Sequence, residues 1–299
     1  QLSYEALAFY LEDSHSFQAF ARLPLGLRPK KSVLQKGVSA ISDASWERIH
    51  RLMVRDASVQ KIERGRVVRV DSTVTETPVH EPTDSTLLWD AVRTQVRLME
   101  QAQELAGPAR LKWCNHRRVA KKRAYQIQYS RGKEKKANWY RDLIKVTRKG
   151  LNYLDKAWCT LTQLTIDEAA FAAWEAQVKH YRGLIEGVID QAQRRVISGE
   201  QVAAAQKIFS LFEEHTDIII KGSRDIQYGH KLNLTSGRSG LILDAVIEEG
   251  NPADSERFMP LLEQQIEVYG RAPRQIAADG GYASKDNVQQ AKDKGVKDV

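Results

Sequence analysis

The stretch "GRVVRVDSTVTETPVH", residues 65–80, decides the fold of this chain. Its apolar and polar side chains alternate with the period of two that is typical of a β-strand. One predicted face carries Val68, Val70, Ser72 and Val74. The opposite face carries Val67, Arg69, Asp71 and Thr73. The stretch therefore predicts a strand with an acid, Asp71, in its middle.

A second acid ends another short apolar run. In "QIAADGGYAS", residues 275–284, the run stops at Asp279, and Gly280 and Gly281 follow. A charge within or at the end of a buried strand is costly unless it is paired or bound to a metal. The alternative is an acid that caps a turn through its own side chain. That alternative stays open for Asp279 and is weaker for Asp71, whose strand is predicted to continue through Val74.

Taken together, the two aspartates suggest adjacent strands that bring two carboxylates to one point. Hard oxygen ligands at such a point select Mg²⁺ or Mn²⁺. Two such ions can bind the attacking and leaving oxygens of a phosphoryl transfer. The two glycines would let the backbone turn sharply beside the metal and a phosphodiester.

The periodicity along the chain predicts an α/β protein whose core is interrupted after its first strand. Helical spacing extends over most of the chain before residue 62 and again from Asp84 to about Thr216. Strand patterns return near His230 as a hairpin and again before Asp279, each followed by a helix. The predicted segments are an N-terminal helical domain (1–62), a first part of the core (63–83), a helical insertion (84–221) and a second part of the core (222–299). The N-terminal helices could read DNA or mediate dimerisation.

Positive charge is concentrated in one part of the chain. The net charge is +8, but Lys112 to Lys149 contain fourteen Lys and Arg against two acids, a local charge of +12 that leaves −4 elsewhere. Tryptophans and tyrosines are interleaved with these cations and can pack on sugars or bases. The segment predicts a nucleic-acid contact surface rather than a solvated helix face. No run of eighteen apolar residues predicts a membrane span, and a cytoplasmic protein is expected.

Larger motifs resemble the transposases of bacterial insertion sequences. The resemblance lies in "RVDSTVTETPVHEPTDSTLLWDAVR", in "YGHKLNLTSGRSGLILDAVIEEGNPADSERFMPLLEQ" and in "IAADGGYAS", and the N-terminal "LSYEALAFYLEDSHSFQAFARLPLG" is similar to the helical domain that precedes the core in such enzymes. The chain thus resembles the DDE superfamily, and within it the ISNCY-like group.

The resemblance implies an RNase H-like mixed sheet and a metal-dependent DNA transposase. Asp71 and Asp279 match the family's first-strand and fourth-strand aspartates, which would be catalytic and would hold the divalent ions, two Mg²⁺ with Mn²⁺ as substitute. The ions would activate water to nick the element's end and then the freed 3′-hydroxyl to attack target DNA. Expected partners are double-stranded DNA and further copies of the chain, in a homodimer or a larger synaptic complex associated with the nucleoid.

The sequence departs from the family at its third acid. That acid is a glutamate on a helix after the fifth strand, whereas the acids after Asp279 are Asp286, Asp293 and Asp298. Glu248 and Glu249 follow a hairpin strand, which is the wrong place for it. The chain is therefore expected to be truncated, and to bind DNA with weak or no catalysis. A structure-selective nuclease and a non-catalytic DNA-binding protein that acts as a repressor remain the alternative functions.

Further candidate residues lie near the motifs and in the basic segment. His80 and Asp84 could lie near the metal or touch DNA, although turn and cap chemistry is the more ordinary role for them. His230 opens the second strand of the core and could also lie near the metal. Lys231 could hold a phosphate or could be a solvated strand end. The predicted DNA contacts are Lys112, Arg117, Arg118, Lys121, Lys122, Arg123, Arg131, Lys133, Lys135, Lys136 and Lys231.

Overall fold

A computed structural model of the protein describes residues 2–24, 26–221 and 225–299. It is an α/β protein with a mixed sheet, as predicted. The five described strands are β1 (Val67–Glu76), β2 (Asp217–Lys221), β3 (Asp225–Gly237), β4 (Ile242–Ile247) and β5 (Gln275–Ala278). Their order is β2-β3-β1-β5, with β4 pairing with β3. β1 and β5 are parallel, whereas β2 and β3 are antiparallel.

The alternation predicted for β1 is confirmed. Val68 and Val70 are each 1% exposed and Ser72 is buried, while Arg69 and Asp71 are exposed. The strand therefore buries one face and exposes the other to solvent, and Asp71 lies on the exposed face. A one-residue shift of register would bury that acid, so burial of the valines fixes the register.

The N-terminal part is helical, as predicted for residues 1–62. Its helices are α1 (Tyr4–Asp13), α2 (His15–Phe20), α3 (Lys31–Ser39) and α4 (Asp43–Val59). Serines act as N-caps for three of them, since Ser3, Ser14 and Ser42 each accept a hydrogen bond from a backbone N–H of the first turn.

The helical segment after β1 contains two apolar cores. It comprises α5 (Asp84–Ala106), α6 (Arg117–Tyr129), α7 (Lys133–Leu161) and α8 (Glu168–Ala192), followed by a π-helical turn at Gln193–Ile197. One core joins α5, α6, α7 and α8 through fully buried side chains such as Leu88, Ala120, Leu143 and Ile185. No helix among the described residues is long and apolar enough to cross a membrane.

The prediction that helix extends to about Thr216 was wrong. Regular helix ends at Ile197, and β2 occupies Asp217–Lys221, where the sequence analysis placed the end of the insertion. The run Ile218-Ile219-Ile220 is β-branched throughout, which favours a strand. Because the run is short and continuous, periodicity alone could not distinguish a strand from a buried helix.

The C-terminal part continues with α9 (Asp254–Tyr269) and α10 (Lys285–Asp293). The predicted hairpin is present as β3 and β4, and Gly270 follows α9 with a φ of +65°. A left-handed glycine immediately after a helix is a common terminator.

The chain divides into two compact units. One unit comprises residues 1–70, 235–244 and 258–299, and the other comprises residues 71–234 and 245–257. The helical cores belong to the second unit.

Candidate functional site

The pairing of β1 with β5 places the two candidate catalytic acids in equivalent positions after the paired residues of the two strands. Val67 pairs with Gln275, and the parallel register continues to Val70 opposite Ala278. Asp71 is the residue that follows Val70, and Asp279 is the residue that follows Ala278. Asp71 therefore lies within β1, one residue beyond its last pair with β5, and Asp279 is the first residue after β5.

Asp279 also begins a short turn. It is the N-cap of a 3₁₀ turn, Gly280–Tyr282, and its Oδ1 accepts a hydrogen bond of 2.9 Å from the backbone N–H of Gly281. Tyr282 is 1% exposed, and its carbonyl oxygen accepts a hydrogen bond of 2.9 Å from Asn287 Nδ2, which anchors the turn to α10. The turn-capping role left open by the sequence is thus present, and a carboxylate that accepts one hydrogen bond keeps further lone pairs for a cation.

The role predicted for the two glycines needs correction. Neither Gly280 nor Gly281 has a positive φ, so the backbone conformation at these two positions does not require glycine. A Cβ added to Gly280 would meet nothing within 4 Å. Gly280 therefore borders open space, which leaves room beside Asp279 for a ligand.

A buried ion pair lies within the second unit, at the start of α9. Lys231 is 4% exposed, and its Nζ lies 2.7 Å from Asp254 Oδ1 and donates a hydrogen bond of 2.6 Å to the carbonyl oxygen of Pro252. Ser72, on the buried face of β1, donates to Asp254 Oδ2 over 3.4 Å. Lys231 is thus enclosed and neutralised by Asp254, and it does not belong to the DNA-contact surface proposed below.

Glu248 is also enclosed rather than presented to a metal. It is 7% exposed, and its Oε1 accepts hydrogen bonds of 2.6 Å from Asn233 Nδ2 and 2.7 Å from Arg257 Nε. Both partners bind Oε1, so this oxygen is used within the protein, and the exclusion of Glu248 as the third catalytic acid stays a prediction.

His80 contacts a buried acid of α5. Its Nε2 lies 3.4 Å from Asp90 Oδ2, and Arg93 Nη1 lies 2.8 Å from Asp90 Oδ1. Burial raises the pKa of Asp90 above its usual value, although the charges of His80 and Arg93 act in the opposite direction. His230 stacks on His215, with ring centroids 4.8 Å apart and an interplanar angle of 1°.

Asp84 connects the start of α5 to the end of α8. The N-cap of α5 is Thr83, which forms a capping box with Thr86, and Asp84 is the first helical residue. Asp84 is 6% exposed and accepts hydrogen bonds of 2.9 Å from Gln191 Nε2 and from Arg195 Nη1. These contacts use the carboxylate for helix packing.

Replacing Asp84 with asparagine is expected to lower the free energy of unfolding by about 2 kcal/mol, because a charge-assisted hydrogen bond to Arg195 is lost. Asp43→Asn is the matched control, since Asp43 is also the first helical residue after its cap but is exposed. We expect the control to change stability by about 0.5 kcal/mol or less. Urea denaturation measures both, and equal effects would contradict a packing role for Asp84.

The basic segment comprises the end of the loop before α6, α6 itself and the first half of α7. Most of its predicted DNA contacts are exposed: Lys112, Arg118, Lys121, Lys122, Arg131, Lys133 and Lys135. Arg117, Arg123 and Lys136 are half-buried. Arg123 pairs with Asp142 and lies 4.8 Å from the centroid of the Trp139 ring. The segment thus presents exposed cations over an aromatic-containing core.

The carboxylate oxygens of Asp71 and Asp279 are the atoms that would bind a divalent ion. Among the described residues, no group of three or more His, Cys, Asp or Glu side chains could hold a metal ion. Asp71 and Asp279 are exposed carboxylates and provide the hard oxygen donors that Mg²⁺ prefers. The donor chemistry therefore fits Mg²⁺.

Comparison with protein families identifies the C-terminal part. Residues 221–299 match the family model described as the transposase DDE domain, which confirms the resemblance to DDE-superfamily transposases. No curated protein and no solved structure matches the chain. The matched range contains β3, β4, β5 and Asp279, but not Asp71.

Proposed function

We propose that this protein is a DNA transposase that performs metal-dependent strand cleavage and 3′-hydroxyl strand transfer at the ends of an insertion sequence. The match of residues 221–299 to the transposase DDE domain supports transposition as the general function. The finer proposal concerns the chemistry, the metal and the residues that carry them.

The parallel register of β1 and β5 is the observation that carries the proposal. Val70 and Ala278 are paired, and an exposed aspartate follows each of them. Two parallel strands that each carry an aspartate one residue after the same backbone pair are suited to hold a shared cation. The strands that precede these acids form part of the RNase H-like core that we propose for the sheet.

Asp71 and Asp279 would bind two Mg²⁺ ions, or Mn²⁺ in their place. Bound divalent ions supply Lewis-acid activation of water and of a 3′-hydroxyl, and they stabilise the leaving oxygen of the scissile phosphate. The chain's own contribution is to orient the two carboxylates. Asp279 is oriented by the hydrogen bond from the Gly281 N–H, and Asp71 by the strand whose valines are buried on the opposite face.

The exposed cations of α6 and of the start of α7 would contact the DNA backbone. Such contacts position the duplex without reading its sequence, and their contribution weakens with salt. Joining two element ends requires two active sites, so we also propose a homodimer or larger synaptic complex in the cytoplasm, associated with the nucleoid. The N-terminal helices 1–62, the two-part core (63–83 and 222–299) and the insertion (84–221) are the domains we propose for these roles.

A labelled duplex that carries an element end tests this function. The protein expressed from the whole gene is expected to nick the duplex and join it to target DNA in Mg²⁺ or Mn²⁺, and to lose both activities in EDTA. Nicking without joining would instead support the structure-selective nuclease. Binding that is equal with and without metal, with no cleavage, would support the repressor.

A further inference from the structure

A cationic pocket lies between α5 and α6 in the second unit. It has a volume of about 320 Å³ and is lined by five basic side chains, with no acid among the lining residues. The basic side chains are Arg93, Arg97, Arg117, Arg118 and Lys121. Only the three on α6 belong to the basic segment predicted from the sequence. The two on α5 are four residues apart, so helical spacing could have indicated that they share a face.

Two of the five cations are already neutralised within the protein. Arg93 pairs with Asp90, and Arg117 makes a two-pronged contact with Glu100, at 3.1 and 3.0 Å. Arg97, Arg118 and Lys121 have no acidic partner among the described residues. The pocket therefore has an excess of positive charge that an anionic ligand would neutralise.

Aromatic rings hold these cations in place. Arg93 and Lys121 lie 5.2 and 5.8 Å from the centroid of the Trp89 ring, and Arg97 lies 5.4 Å from that of Tyr181. Each contact restrains a long side chain, so less side-chain entropy is lost when a ligand binds. The pocket is thus organised before a ligand enters.

A buried hydroxyl group supplies an independent indication of a ligand. Thr94 lines the pocket and is 2% exposed, yet its Oγ1 has no hydrogen-bond partner among the described residues. An unpaired buried hydroxyl is destabilising, and such groups in native proteins call for an explanation. A ligand oxygen in the pocket would accept the hydrogen bond that Thr94 can donate.

We propose that this pocket binds one phosphate group of a DNA strand, with Thr94 donating to a phosphate oxygen and Arg97, Arg118 and Lys121 neutralising its charge. Phe212, which is 46% exposed on the wall of the pocket, would contact the adjoining sugar or base. The inference rests on the proposed function in that DNA supplies the phosphate. It adds a single enclosed phosphate site to the open basic surface.

The salt dependence of DNA binding distinguishes a single enclosed site from three separate surface contacts. Each phosphate neutralised on duplex DNA contributes about 0.9 to the slope of log K against log salt. The triple variant Arg97→Gln, Arg118→Gln and Lys121→Gln is therefore expected to lower the slope by about 0.9, whereas three separate contacts would lower it by about 2.7. The matched control is Lys179→Gln, Lys285→Gln and Lys292→Gln, which removes the same charge from exposed positions. Fluorescence anisotropy in EDTA provides the measurement without any contribution from catalysis.

Thr94→Val tests the pocket without changing its charge. Valine has nearly the same shape and removes an unpaired hydroxyl, so we expect the variant to be at least as stable as the parent and to bind DNA about tenfold more weakly. Unchanged DNA affinity of Thr94→Val would overturn the proposal. A slope change of about 2.7 in the triple variant, or one equal to the slope change of the control variant, would overturn it as well.

Two further experiments identify the source of the phosphate. One compares duplexes that differ at the 5′ end, and the other measures thermal stabilisation by inorganic phosphate. Duplexes with 5′-phosphate and 5′-hydroxyl ends are expected to bind equally, because an internal phosphodiester occupies the pocket. Inorganic phosphate is expected to raise the thermal midpoint of the parent but not of Thr94→Val. If the parent binds DNA in this Thr94-dependent way but neither nicks nor joins it, the transposase proposal falls and the phosphate pocket stands. A preference for 5′-phosphate ends, or no stabilisation by phosphate, would contradict the site as described.

Discussion

Replacing Asp279 with asparagine is expected to reduce strand joining by about a thousandfold or more, because loss of a charged metal ligand removes several kcal/mol of transition-state stabilisation. The same loss is expected for Asp71→Asn, since both carboxylates would hold the ions. DNA binding should change little in either variant, because the proposed backbone contacts lie on α6, on the start of α7 and in the phosphate pocket. Gel assays of joining by the protein expressed from the whole gene, alongside anisotropy in EDTA, measure the two properties separately.

The matched control for these variants is Asp293→Asn. Asp293 is an exposed acid at the end of α10 that accepts a hydrogen bond of 2.8 Å from Gln289, so the substitution changes charge and shape in the same way. We expect joining by the control to remain within about twofold of the parent, in line with the small effects of surface substitutions. Joining by Asp279→Asn at the control's level would remove Asp279 from the metal site. The turn-capping role at Gly281 would then account for this acid.

The sequence was sufficient for elements in which local signals and burial agree. The alternation in β1 separated the two faces of the strand, one of which is buried, and the helix predicted after the hairpin is present as α9. β2 escaped prediction because three consecutive isoleucines carry no periodicity. α5 begins at Asp84, where the helical spacing was predicted to resume, and Thr83 and Thr86 satisfy its first turn reciprocally.

The parts of the site that could be predicted are those set by strand position. The candidates Asp71 and Asp279 were chosen from the ends and faces of two strands, and their positions at those strands are as predicted. The surroundings of Asp84 and Lys231 depend on partners distant in sequence, Arg195 and Asp254, which periodicity does not reveal. The cationic pocket was missed for the same reason, because α5 and α6 must pack before their cations face one space.

Replacing Lys231 with alanine is expected to lower the free energy of unfolding by about 3 kcal/mol, because removal of one partner from a buried ion pair leaves the other charge uncompensated. Lys231 is 4% exposed and its partner Asp254 holds both Lys231 and Ser72. The exposed Lys285→Ala should change stability by about 0.5 kcal/mol or less. Urea denaturation provides the comparison.

The double variant Lys231→Ala, Asp254→Ala separates the ion pair from simple loss of packing. If the penalty comes from an uncompensated Asp254, the second substitution should recover part of the stability, and the two effects should not add. A Lys231 that instead served as an open phosphate contact would behave differently. Lys231→Ala would then leave stability unchanged and lower the salt slope of DNA binding by about 0.9. Since the lysine is enclosed by Asp254 and by the Pro252 carbonyl, we expect loss of stability rather than loss of a phosphate contact.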